Sequence, residues 1–136
     1  MTDESSLTRS QLSRRHAGLA AEWRSGVQSV GAANGDPNDA ADPDLEGVEL
    51  KEAPIYILFG CRPPAGITVK FRLWLYWAPP DGSVGTWYRI VGSETEVADA
   101  DGPALDELKP AGADRIYFER TDSSGSTATF DLAERT

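Results

Sequence analysis

The chain has 136 residues, 40% of them hydrophobic and 26% charged, and carries a formal net charge of −9. That composition belongs to a globular chain of single-domain size, and the acidic balance excludes nucleic acid as a principal partner, because phosphate binding needs a basic surface. No apolar run approaches the roughly 20 residues that would cross a bilayer, the first residues lack the apolar core of an export signal, and the single Cys61 cannot form an internal disulfide.

Leu7 to Val30 reads as a helix. Thr8 followed by Gln11 fits a capping box, with Asp3 and Glu4 near the positive end of the dipole. Leu12, His16, Leu19, Trp23 and Val30 then recur at spacings of four, three, four and seven, a narrow apolar stripe interrupted at Gly26. So narrow a stripe is marginal alone. It predicts either a helix lying on its own domain or, preferably, an arm that docks on another subunit. Trp23 would be the anchor, since tryptophan is enriched at interface hot spots.

Gly31 to Glu46, GAANGDPNDAADPDLE, has almost nothing to bury and reads as an acidic, flexible linker. Residues 31–53 carry Lys51 against Asp36, Asp39, Asp42, Asp44, Glu46, Glu49 and Glu52. The domain expectation is therefore a docking arm at 1–30, a linker at 31–46 and a folded body at 47–136.

From Gly47 onward the pattern is all-β. Val48 to Glu52 predicts a short edge strand, and PIYILF at 54–59 a strand covered on both faces. Cys61 to Gly66 reads as a turn. Ile67 to Trp77 then alternates without interruption, placing Ile67, Val69, Phe71, Leu73, Leu75 and Trp77 on one face and Thr68, Lys70, Arg72, Trp74 and Tyr76 on the other. Burying the first set contributes on the order of 10 kcal/mol of gross stabilisation, an upper bound. Pro79-Pro80-Asp81-Gly82 closes a hairpin whose return is Thr86 to Val91, and Glu94 to Ala98 predicts another strand. Ala104 to Lys109 reads as one helical turn. Arg115 to Thr121 and Ser126 to Leu132 read as a closing hairpin across Asp122 to Gly125. About seven short strands with turns between them predict a single β-sandwich or jelly-roll-like domain.

Chemistry-bearing sets are sparse. The one histidine, His16, lies in the arm, far in sequence from Cys61 and from the serines of the body, so a nucleophile–base pair is not expected. One His and one Cys fall short of a zinc set. Asp42, Asp44 and Glu46 with Gly47 match the start of a calcium loop, but Ala53 stands at position twelve and Pro43 stiffens the entry. The cluster Asp99-Ala-Asp101-Gly102 is less complete, with Val97 and Leu108 at positions one and twelve. Solvated acidic loops are the simpler reading, and no metal or cofactor is expected. No carboxylate pair for glycoside hydrolysis is identifiable among 22 acids. The aromatic face formed by Trp74 and Tyr76, with Trp87 and Tyr88 on the returning strand, has three readings: covered by a loop or second sheet, a subunit interface, or a sugar-stacking platform.

The run LWLYWAPPDGSVGTWYRIVG (73–92) and the closing segment GADRIYFERTDSSGSTATFDL (112–132) resemble segments of small β-sandwich proteins on the virions of tailed bacteriophages. The resemblance spans roughly 60 residues, and none of the arm. It implies a non-enzymatic structural role at the virion, as a capsid decoration, head-fibre or neck–tail protein. Its partners would be major capsid or other virion subunits, and it would form a homo-oligomer, guessed as a trimer. The rival from a different class is a carbohydrate-binding module that stacks glycan on Trp74, Tyr76 and one of Trp87 or Tyr88.

Overall fold

The structure, a computed structural model, describes residues 23–136. Among these residues nine strands form two antiparallel sheets. The strands are β1 (Arg24–Val30), β2 (Val48–Glu49), β3 (Tyr56–Arg62), β4 (Thr68–Tyr76), β5 (Trp87–Arg89), β6 (Thr95–Ala98), β7 (Ala104–Leu108), β8 (Arg115–Arg120) and β9 (Ala128–Arg135). The first sheet runs β1-β9-β3-β7. In the second, β2, β8 and β4 lie side by side, and β5 and β6 share the far edge of β4 end to end. The expected all-β sandwich is present.

Alternation explains why the two sheets stack. Val69, Phe71, Leu73 and Leu75 of β4 are buried in one core with Ile57, Phe59 and Cys61 of β3 and Phe130 and Leu132 of β9. Four phenylalanines meet at its centre: Phe118 stacks on Phe130 across the sheets, centroids 4.6 Å apart, and Phe71 meets Phe130 edge-on at 5.0 Å. Aromatic pairs at these separations add about 0.5–1.5 kcal/mol each beyond the area they bury.

Four expectations need correction. The helix predicted through Val30 is not formed over 24–30. That stretch is β1, paired with β9, and Gly26 at φ +65° allows the shift in register between Arg24 and Gln28. Pairing with a complete neighbouring strand outweighs the weak helical preference of this stretch, which holds two serines, a glycine and two valines. The folded body thus begins at Arg24, not Gly47; Leu12, His16 and Leu19 lie outside the described residues.

The helical turn predicted at 104–109 is β7, an edge strand zipped to β3 from Ile57↔Leu108 to Cys61↔Ala104. The closing hairpin is likewise replaced: β8 belongs to the second sheet and β9 to the first, so Thr121 to Thr127 crosses between layers. Finally, residues 31–46 are not a free linker. They lie packed against the second sheet, with Pro37 buried.

One charged residue ties these parts together. The side chain of Arg120 is fully buried and forms a double hydrogen bond with Asp122, at 2.8 and 3.0 Å. Its remaining donors reach the carbonyls of Val30, at 2.9 Å, and Ser126. Asp122 also accepts the backbone N–H groups of Lys70 and Ser124. Burial alone would raise the Asp122 pKa, but the bonds from Arg120, Lys70 and Ser124 outweigh it and hold the carboxyl below its ordinary value of 3.8.

Removing that charge should be costly. Asp122→Asn leaves a buried guanidinium without its counter-charge and is expected to destabilise the fold by about 3–5 kcal/mol, read by urea denaturation. A carboxyl with a depressed folded pKa adds stability above its unfolded pKa, and the gain is lost as pH falls through the folded value. The wild-type protein should therefore lose stability below about pH 4, and Asp122→Asn should lose less over the same window.

Candidate functional site

The aromatic face read from the sequence lies on the outer side of the second sheet. Trp74 and Tyr76 of β4 stand beside Trp87 of β5 and Tyr117 of β8 as a separate buried cluster. The pairing register brings them together: Trp74 lies opposite Tyr117, and Tyr76 opposite Trp87. Tyr76 and Trp87 have centroids 5.2 Å apart, and Trp87 meets Tyr117 at 5.8 Å.

This face is covered. Trp87 is 1% exposed, Tyr76 2% and Trp74 7%. Over Tyr76 lies Gly85, whose backbone N–H donates to the Tyr76 hydroxyl at 2.9 Å; over Trp87 and Tyr117 the cover is the acidic segment 31–47, and its grip is mostly main-chain chemistry. The Asn38 side chain accepts the Trp87 backbone N–H at 2.7 Å and donates to the Trp87 carbonyl at 3.0 Å, as a neighbouring strand would. The Trp87 indole N–H donates to the Pro43 carbonyl at 2.7 Å, and the Tyr117 hydroxyl donates to the Gly35 carbonyl at 3.1 Å. Burial, then the negative charge of Glu46 and Glu119, pushes the Tyr117 pKa up to about 12, so at neutral pH it is a donor.

Gly47 closes the cover. It adopts φ +65°, and a Cβ there would sit 2.2 Å from the Ile116 carbonyl oxygen, so no other residue fits. At the far side Glu119 accepts Arg72 at 2.6 Å and the Trp74 indole at 2.8 Å. The carboxylate is thereby spent on fixing the ring. Between the cover and the end of β1 lies an open cleft of about 830 Å³ bordered by Gln28, Asn34, Asp36, Glu46 and Tyr117.

The expected site residues therefore separate. Trp74, Tyr76 and Trp87 are brought together but hidden. Tyr88, on the other side of β5, is 61% exposed. Its neighbour is Trp77, which the alternation assigned to the core. Trp77 is 37% exposed, meets Tyr88 edge-on at 6.2 Å, and donates its indole N–H to the Ala111 carbonyl at 3.1 Å. Ala111 is held at φ +50° in the turn before β8. An exposed Trp–Tyr pair fixed this way is a preorganised contact point. The sequence signal was the Ala-Pro-Pro that follows Trp77 and ends the strand.

Trp23 lies at the opposite face. It is 47% exposed and rests over Gly60, where a Cβ would come within 3.4 Å of the indole. With Pro103, Ala104 and Leu105 it borders a small recess of about 180 Å³.

Several titratable groups of the body are buried or ion-paired. Burial pushes the Cys61 thiol up to about 12, which leaves almost no thiolate at neutral pH. Asp131 is engaged by Arg62 and Glu134 by Arg24. Among the described residues no group of three His, Cys, Asp or Glu side chains is placed to hold a metal ion, the Asp42–Glu46 run included. The chain was compared with protein-family models, curated proteins and solved structures, and none matches it.

The cover makes a direct prediction. Asn38→Ala removes both bonds to Trp87 and leaves the edge of β5 uncapped. It should lower stability by about 1–3 kcal/mol and speed hydrogen exchange at the Trp87 amide, while the exchange of β9 amides stays near wild type. Unchanged exchange at Trp87 would mean that the segment is held from elsewhere.

Proposed function

We propose that this protein is a non-enzymatic structural component of a tailed-bacteriophage virion, a capsid decoration, head-fibre or neck–tail protein that works by being held among other subunits. The observation that carries the reading is how the body spends its reactive groups. Glu119, Asp122, Asp131 and Glu134, the carboxylates drawn into the body, each take a cation bond that fixes a strand or a ring. Meanwhile four of its exposed large apolar groups form two points suited to contact, the Trp77–Tyr88 pair and Trp23 with Leu105, while Leu45, Ile55, Val84 and Val91 are exposed elsewhere. Tryptophan and tyrosine are favoured anchors where one protein surface meets another. Attachment in many copies lets modest single contacts add up through avidity.

In this reading the residues ahead of Trp23 attach the protein to its neighbours, and the sandwich supplies a stable body. Deleting residues 1–22 is expected to leave a folded protein with an unchanged melting temperature that no longer joins particles. Undiminished incorporation would remove the segment as the anchor.

The carbohydrate reading changes its residues. Trp74, Tyr76 and Trp87 are buried, so a sugar ring would have to stack on Tyr88 and Trp77. Binding on a glycan array that is lost in Tyr88→Ala would favour that rival. No binding by either protein favours the structural role.

A further inference from the structure

We propose that β7 and the adjoining outer face of the first sheet receive residues 5–21 of a second copy of this chain. The inference rests on the reading of the N-terminal segment as an attaching element and names what it attaches to.

The argument begins with the sheet edges. An edge strand offers unpaired N–H and C=O groups, and folded proteins blunt or occupy such edges. Here most are blunted. The edge of β5 is capped at Trp87 by Asn38, and β2 is two residues long. Where β2 stops, the edge of β8 is continued by side-chain amides, Gln28 and Asn34 both bonding to Phe118. The edge strand β1 is broken by its shift in register. By contrast β7 is five residues in unbroken register with β3, is exposed along Ala104 to Glu107, and has no strand on its other side among the described residues.

Its side chains say what could lie there. Leu105 is 61% exposed and projects on the outer face beside Gly60 and Trp23. Asp106 and Glu107 follow it, and among the described residues no cation pairs with either. Two copies of β7 cannot pair comfortably, because the same two acids would face each other. The strand instead fits a segment that carries positive charge with some apolar residues.

Residues 5–21 of this chain are such a segment. They hold Arg9, Arg14 and Arg15 with no acid, and Leu7, Leu12 and Leu19 among small residues. The described chain starts at Trp23, in the recess that Ala104 and Leu105 border. The preceding segment therefore departs from the very face that complements it. Its 17 residues reach about 55–60 Å when extended, far enough to cross to an adjacent subunit. Trp23 occupies the near end of its own recess, so the open length of β7 is left for a neighbour's segment. Each copy then gives one segment and receives one, and a ring of copies closes without a free end.

The test is a charge swap in the full-length chain, followed by sedimentation across a concentration series. Asp106→Lys with Glu107→Lys, or Arg14→Glu with Arg15→Glu, should each weaken self-association at least about tenfold. Combining all four changes should restore it to within about threefold of wild type, since the attraction is re-formed with reversed signs. All four positions of exchange lie on exposed sites of β7 or ahead of Trp23, and melting temperatures confirm that the body remains folded. A full-length chain that stays monomeric, an oligomer indifferent to the reversals, or the absence of rescue overturns the proposal. If deletion of residues 1–22 still abolishes particle incorporation in that case, only the identity of the neighbour fails and the structural role stands.

Discussion

The structure depends on one buried cation. Arg120 lies at the end of β8, where the chain leaves the second sheet to enter the first, and its guanidinium bonds at once to the end of β1, the crossover and the carboxylate of Asp122. Asp122 in turn holds the backbone of β4 at Lys70. A hydrophobic core alone would let two sheets slide, because apolar contact is non-directional. A planar guanidinium with donors in a fixed fork permits only one arrangement of its acceptors. The core supplies most of the stability, and this hub sets the register in which the sheets meet.

The cover over the aromatic face follows the same logic with neutral groups. Segment 31–47 has little apolar surface, yet it covers two large rings, Trp87 and Tyr117. It does so through carbonyls and Asn side chains that satisfy the polar edges of rings and strands: Pro43 for the Trp87 indole, Gly35 for the Tyr117 hydroxyl, and Asn38 for the Trp87 backbone. No buried side-chain polar atom is left without a partner among the described residues. Leaving such groups unmade would cost about 1–3 kcal/mol each, so the acidic segment is fastened by necessity. Of its charges, Asp39, Asp42 and Asp44 stay exposed.

What was legible in the sequence was what repeats. The alternation from Ile67 to Trp77 located β4 and its inward side chains, since period two has no other stable meaning over eleven residues. The failures share a cause: each depended on a distant partner. Ala, Leu and Glu in 104–108 favour a helix locally, but β3 lies ready to pair with them. Residues 24–30 become a strand because β9 arrives a hundred residues later in the chain. Phe118 and Phe130 look like facing positions of one hairpin, and they do face, but across the core. The cover was illegible for a further reason. Asn34 and Asn38 act through backbone contacts that leave no hydrophobic period, so a stretch of Gly, Pro, Asn and Asp looks the same packed or free. Trp77 was misplaced because alternation states which face a residue takes and says nothing of where the opposite sheet ends.

The distribution of protected and open edges gives the molecule a direction. One flank, around β8, β2 and the 31–47 segment, is closed by side-chain amides and carries much of the negative charge. The other presents β7, Leu105 and Trp23 on the first sheet. A monomer under no pressure to associate would gain from blunting β7 as it blunts β5, and a single asparagine in the right loop shows how little that takes. Asp106 and Glu107 answer part of the need, since acids discourage pairing with another β7 while leaving the edge open to a basic segment. Selective openness of this kind discourages random sheet-to-sheet association, and under the proposed structural role it would admit one sort of neighbour.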